Sequence, residues 1–223
     1  MIELSAIHLT GADASTFIQG QITADINALN FIEQTAENTG LGALCTHQGR
    51  VVVVMWIIRH AEDDIVLLMP SDMAEQIKAH LTKFVFISKV KIELREALAD
   101  ELATLPEDLL IPWITKATTE KFVPHMLSLD KLNGIHFKKG CYTGQEVVAR
   151  MEYLGAPKRR LAKITASNAK ELAYGAEILN DEDKSAGTII YFEGDNALAV
   201  IQLSAKESAL KLNEPITIEH IWE

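Results

Sequence analysis

Cysteine is scarce in this chain: 223 residues hold two, Cys45 and Cys141. Two thiols cannot build a disulfide framework, and a cluster held by four cysteines of one chain is excluded. No C-x-x-C or C-x-x-x-H spacing occurs, which argues against a cysteine-rich zinc site. Long apolar runs are missing as well. The longest, VVVVMWII at residues 51–58, falls far short of the roughly 20 residues a membrane-spanning helix needs. The opening MIELSAIHLTGADAS has neither a basic n-region nor a long apolar stretch, so no secretory signal is read there and a cytoplasmic protein is expected. A P-loop, a dinucleotide glycine fingerprint and a G-x-S-x-G elbow are all absent, which removes the commonest nucleotide and hydrolase readings. An excess of positive charge is lacking too. The formal net charge of −10 argues against direct nucleic-acid binding.

What is present describes a globular chain, with 48% hydrophobic and 23% charged residues. The charge is unevenly spread. Residues 131–160 carry Lys131, Lys138, Lys139, Arg150, Lys158, Arg159 and Arg160 against Glu146 and Glu152. A basic stretch of this kind is ordinarily a solvated face. Because it surrounds Cys141, an anionic ligand is the second reading.

Local patterns predict an α+β first region. SAIHLTG reads as a strand, followed by a helix capped by Asp13 with Phe17, Ile18 and Ile22 on one side. Residues 49–60 and 65–70 are read as a hairpin about the AEDD turn, its first strand buried on both faces. SDMAEQIKAHLTKF predicts a helix with Asp72 and Glu75 as a capping pair and Met73, Ile77, Leu81 and Phe84 packed on the sheet. KVKIEL is a half-exposed strand. Glu96 to Leu110 predicts an acidic surface helix broken at Pro106, and LSLDKLNGI a short helix closed at Asn133-Gly134. After Gly155-Ala156-Pro157 come short strands with turns, the pattern of a small β-barrel. The expected segments are 1–95, 96–156 and 157–223.

One stretch stands out for chemistry: KGCYTGQE, residues 139–146. Thr143 and Glu146 have the capping-box spacing, which predicts a helix start and makes Glu146 a cap in preference to a general acid. Cys141 then lies close to a positive helix end, with Lys138 and Lys139 adding charge; both favour a thiolate. Gly140 and Gly144 are read as allowing close backbone approach and positive φ. Against this stands the ordinary fate of a free cysteine, which is burial and inertness. Cys45, in the apolar GALCTH stretch, takes that ordinary reading. Tyr142 either packs or stacks on a planar ligand. His47, His125 and His136 lack a local partner at ligand spacing, so no metal site is expected, and Trp56 and Trp113 are assigned to the core.

GADASTFIQGQITADI, CTHQGR, EKFVPHMLSLDKLNGIHFKKGCYTGQEVVAR and YLGAPKRRLAKI resemble, in this order, the YgfZ family, folate-binding proteins related in fold to the glycine-cleavage T protein, an aminomethyltransferase. The resemblance spans about residues 5–165. It implies mixed α/β folate-binding domains around a central channel that holds tetrahydrofolate, plus a C-terminal β-barrel. It further implies support for synthesis or repair of iron–sulfur enzymes, one of which thiomethylates tRNA, with Cys141 as the functional thiol. Lys139, Gly140, Tyr142, Gly144, Gln145, Glu146 and Arg150 are the accompanying motif positions. Two departures matter. Val53 and Val54 stand where the T protein carries an acidic residue that assists aminomethyl transfer, and valine cannot carry a proton. The middle segment is short, leaving Glu107 or Asp108 to supply any carboxylate for the pterin edge. Two alternatives therefore stay open: a folate-dependent one-carbon transferase, and an interaction protein that keeps the fold without the ligand.

Overall fold

Nine consecutive buried residues, Val51 to Arg59, form most of strand β3 (Val51–Ala61). A strand apolar on both faces must lie between two layers, and in the computed structural model it does. The model describes residues 2–29, 38–106, 111–166, 172–194 and 196–223. β3 turns through Glu62-Asp63 into β4 (Asp64–Pro70), the expected hairpin. With β1 (Leu4–Thr10), β2 (Thr39–Cys45) and β5 (Lys91–Glu96) they make an antiparallel sheet in the order β2-β3-β4-β1-β5.

Strand alternation sends Val53, Met55 and Ile57 to one face and Val54, Trp56 and Ile58 to the other. A bulge opposite Leu44 and Cys45 sets Val52 on the same side as Val53. Helices α1 (Ala14–Gln19) and α2 (Ser71–Thr82) cover the first face, burying Phe17, Ile18, Met73, Ile77 and Leu81. The second face packs on Trp113, Ile114, Phe122, Leu127 and Leu129, and through them on a barrel. That barrel is closed, in the order β10-β11-β6-β9-β8-β7. Its strands are β6 (Arg159–Ala166), β7 (Glu177–Leu179), β8 (Ser185–Glu193), β9 (Asn196–Gln202), β10 (Leu210–Lys211) and β11 (Pro215–Ile221). Leu161, Ile190, Tyr191, Leu198 and Val200 face outward from the barrel into the core shared with the sheet. The mixed α/β sheet with its C-terminal barrel is thus present. No helix among the described residues is long and apolar enough to cross a membrane.

Several local expectations are corrected, two of them because a polar side chain at a helix start takes a distant partner. Asp13 makes no cap bond; its carboxylate accepts the Lys89 amide at 2.7 Å. Asp72 accepts the Lys116 amide at 2.9 Å, so the Asp72–Glu75 pair does not form, and α2 starts directly after Pro70. Phe84 lies beyond the helix end and is 41% exposed, against the His80 ring. The acidic helix reduces to one turn, α3 (Ala99–Leu102). Its Glu101 is buried, not on the surface, where Arg95 and the Leu98 amide neutralise it. Glu107 and Asp108 lie outside the described residues. LSLDKLNGI is a series of turns rather than a helix, with Ser128 and Asn133 left-handed at φ 50° and 55°.

Candidate functional site

The loop carrying Cys141 is fixed to the sheet domain from two sides. On one side Lys139 turns inward. Its Nζ donates to the carbonyls of Gln19, Ile22 and Ala24 at 2.6, 2.7 and 2.7 Å, and it sits 5.2 Å from the centre of the Tyr142 ring. Burial pulls the ammonium down to about 8, with the Asp25 carboxylate opposing that shift. On the other side the loop rests on the β2–β3 turn, which is closed by Thr46 N to Arg50 O and Gly49 N to Thr46 O, at 2.8 and 2.9 Å. Tyr142 is buried there, and burial raises its phenol well above the ordinary value.

Gly144 is the point of closest approach. Its φ is +84°, and a Cβ would lie 2.4 Å from Thr46 O and 3.2 Å from the Gly49 Cα. Reciprocally, a Cβ on Gly49 would meet Val147 at 2.9 Å. Gly144, not Thr143, occupies the N-cap position of helix α4 (Gln145–Leu154), and it offers no side-chain cap. The capping box expected of Thr143 and Glu146 is therefore absent, because contact with the turn fixes the backbone one residue later. Gln145 Oε1 accepts the Tyr142 amide at 3.3 Å instead, and Glu146 is exposed. Gly140 is also corrected: it has no positive φ, and a Cβ there would meet nothing within 4 Å. Gly144→Ala is expected to lower stability by about 2–4 kcal/mol, from left-handed strain plus overlap with the Thr46 carbonyl. Gly140→Ala should change it by less than about 0.5 kcal/mol. Denaturant titration of the two variants checks the contrast; equal effects would contradict this packing.

Cys141 itself is exposed and Cys45 is buried. Desolvation pushes the Cys45 thiol up to about 12. Of the seven basic residues around the motif, two are internal. Lys139 is one. Arg160 is the other, donating to the His125 carbonyl at 3.0 Å and to Asp130 at 2.6 Å. Lys131, Lys138, Arg150, Lys158 and Arg159 remain on the surface.

Beside the loop is a cavity of about 380 Å³. Val52, Ile77, Cys45 and Phe84 give it apolar walls, Thr143 contributes from the motif, and His47, His80, Lys83 and Glu120 are among its polar members. None of these four side chains has a hydrogen-bond partner among the described residues. Burial, then Lys83, then His47 hold the His80 imidazole below its ordinary value. Glu120 is left-handed at φ 59°, pinned by its amide to Val51 O at 2.8 Å. Between sheet and barrel the described side chains form a continuous apolar core.

His80, Lys83 and Glu120 were not singled out in the sequence, since they converge only through the fold. Arg59 was missed as well. It is a lone cation in a buried strand, bonded to the carbonyls of Ile26 and Leu29 at 2.7 and 3.0 Å, and its setting was a readable signal. His125 and His136 are structural, holding Glu152 at 3.1 Å and the Asp25 amide at 3.3 Å. Trp56 and Trp113 are core residues, as expected. Val53 and Val54 are fully buried on opposite faces, so β3 presents no carboxylate there.

Residues 158–222 match the family model described as CAF17, C-terminal beta-barrel domain. A protein of Colwellia psychrerythraea named tRNA-modifying protein YgfZ is 28% identical over 277 aligned positions, covering 91% of this chain and 84% of that protein. The namesake from Escherichia coli O157:H7 is 26% identical, covering 82% of this chain and 76% of its own. An uncharacterized protein of Haemophilus influenzae is 24% identical and covers 99% and 95%. Among solved structures, glycine cleavage system aminomethyltransferase T from Bartonella henselae superposes with a TM-score of 0.68. That likeness covers 98% of this chain and 83% of the other at 13% identity, which establishes a shared fold.

Proposed function

We propose that this chain, a homologue of the YgfZ proteins with a CAF17-type C-terminal barrel on a T-protein-like fold, is a folate-binding accessory protein. It supports synthesis or repair of iron–sulfur enzymes, tRNA-thiomethylating enzymes among them, through the Cys141 thiol. The observation that carries this reading is the exposed Cys141 on a loop locked to the sheet domain at Lys139 and Gly144, beside a cavity that Thr143 helps to line.

The cavity's residue types suit a folate. Glu120 can accept from the N–H groups of a pterin edge, Val52, Ile77 and Phe84 offer apolar surface to the aryl body, and His47, His80 and Lys83 can meet glutamate carboxylates. When bound, tetrahydrofolate would supply a carrier for one-carbon units. The protein's own part is to orient that ligand and to hold Cys141 at the surface next to it. Aminomethyl transfer is the weaker reading, because Val53 and Val54 leave the expected proton carrier missing.

Calorimetric titration with tetrahydrofolate tests the reading. Binding is expected, weakened about tenfold or more by Lys83→Ala and by Glu120→Gln, each of which removes a charged partner. A polyglutamylated folate should bind more tightly than the monoglutamate, by a margin that shrinks with salt. No binding to the intact chain would leave the ligand-free interaction protein as the better account. Release of formaldehyde from a folate adduct would restore the transferase.

A further inference from the structure

Three basic side chains meet at one cavity with no carboxylate bonded to any of them. His80 comes from the last turn of α2, Lys83 from the cap that follows it, and His47 from the β2–β3 turn. Among the described residues none of the three makes an ion pair. His47 and Lys83 are exposed, while His80 is half-buried with its ring 5.0 Å from that of Phe84.

The remaining titratable groups of the cavity do not supply a counter-charge. Glu120 lines it without pairing with His47, His80 or Lys83. The Cys45 thiol keeps its proton up to about 12. A proton on His80 therefore sets a second positive charge near Lys83, at a partly desolvated position, with nothing negative bonded to it. Burial, Lys83 and His47 all act against that proton. A carboxylate entering the cavity reverses the balance, because it accepts from the imidazole N–H and offsets both cations.

We infer that this cavity takes up the anionic end of its ligand together with a proton, which settles on His80, with His47 and Lys83 completing the seat. The inference rests on the folate reading for its ligand, whose glutamate carboxylates would occupy that seat. His80 is the acceptor in preference to His47 because it is the imidazole that burial keeps neutral until an anion arrives.

The sign follows from linkage. Glutamate carboxylates stay ionised above about pH 5 and so do not set the pH dependence near neutrality. The bound anion raises the His80 value; between the free and the bound values each binding event consumes a proton, so affinity falls as pH rises. Lys139 also changes charge nearby in pH, at about 8, but its Nζ is enclosed by three carbonyls and it does not line the cavity.

Calorimetric titration of the full chain with tetrahydrofolate, in two buffers of different ionisation enthalpy at pH 7, measures the proton directly. Uptake of about half to one proton per ligand is expected, with affinity falling about three- to tenfold from pH 6 to pH 8. In His80→Gln both the uptake and the pH dependence should vanish. A second measurement needs no folate. The C2 proton of His80, assigned by its loss in His80→Gln, should titrate at higher pH when excess glutarate is added to the unsubstituted chain. Folate that binds without proton uptake, equally well at pH 6 and pH 8, overturns this inference and leaves the folate reading intact. Uptake that persists in His80→Gln also overturns it, since another group then takes the proton. Failure to bind folate, with a His80 titration still raised by glutarate, removes the folate reading and keeps the anion seat. If glutarate leaves His80 unmoved as well, the seat falls with it.

Discussion

Lys139→Met is expected to destabilise the protein by about 3–5 kcal/mol, the largest effect of any single change in the motif. Methionine keeps the stem's length and its contact with Tyr142. What disappears is the ammonium that joins three carbonyls of residues 19–24, and those buried oxygens are left without that donor. Lys139→Arg should not rescue the loss, because a planar fork cannot converge on three carbonyls as a tetrahedral ammonium does. The pH dependence has a definite sign. The folded-state value of about 8 lies below the ordinary lysine value, so between the two the unfolded chain binds the extra proton. Stability attributable to Lys139 therefore rises as pH increases through that window. The difference between wild type and Lys139→Met, measured by denaturant titration at several pH values, should widen accordingly. If Lys139 instead contacted ligand directly, the variant would keep its stability and lose only folate affinity.

That lysine marks the limit of what the chain reveals by itself. Strands β1, β3, β4 and β5, helix α2 and the tail strands other than β10 were legible because burial imposes a period of two or 3.6 on the apolar residues. The resemblance carried in KGCYTGQE and CTHQGR was legible too, and the structure packs those two stretches against each other at Gly144 and Gly49. Polar partnerships were not legible. Asp13, Asp72 and Thr143 all sit where a local cap is chemically reasonable, yet Asp13 and Asp72 bond to amides 76 and 44 residues away. A carboxylate satisfies an amide equally well near or far, and sequence spacing records only the near option. Lys139 and Lys138 look alike in the sequence, and only the fold buries one of them. The polar side chains around the cavity come from three stretches of chain: the β2–β3 turn, the end of α2, and residue 120. No local pattern could have gathered them.

The two cysteines should separate by on the order of a thousandfold or more in labelling rate near neutral pH. Cys141 is exposed on its loop and meets reagent without any opening of the fold. Cys45 is 1% exposed, and its thiol holds its proton up to about 12, so it reacts only when the chain opens. The free energy of that opening, up to about 5–15 kcal/mol, sets the gap. Iodoacetamide followed by mass spectrometry should therefore find one modified thiol in native buffer and two in denaturant. The substitutions should separate in the same way. Cys141→Ser removes no buried contact and should shift stability by less than about 0.5 kcal/mol. Cys45→Ser sets a hydroxyl among Leu41, Val51 and Val148 and should cost about 1–3 kcal/mol. Function should move in the opposite direction: cells relying on the Cys141→Ser protein should show reduced iron–sulfur enzyme activity, most clearly under oxidising conditions. A Cys45 that labels first would contradict the placement of the loop. A Cys141→Ser protein that supports iron–sulfur enzymes as well as wild type would remove the thiol from the mechanism while leaving the fold argument untouched.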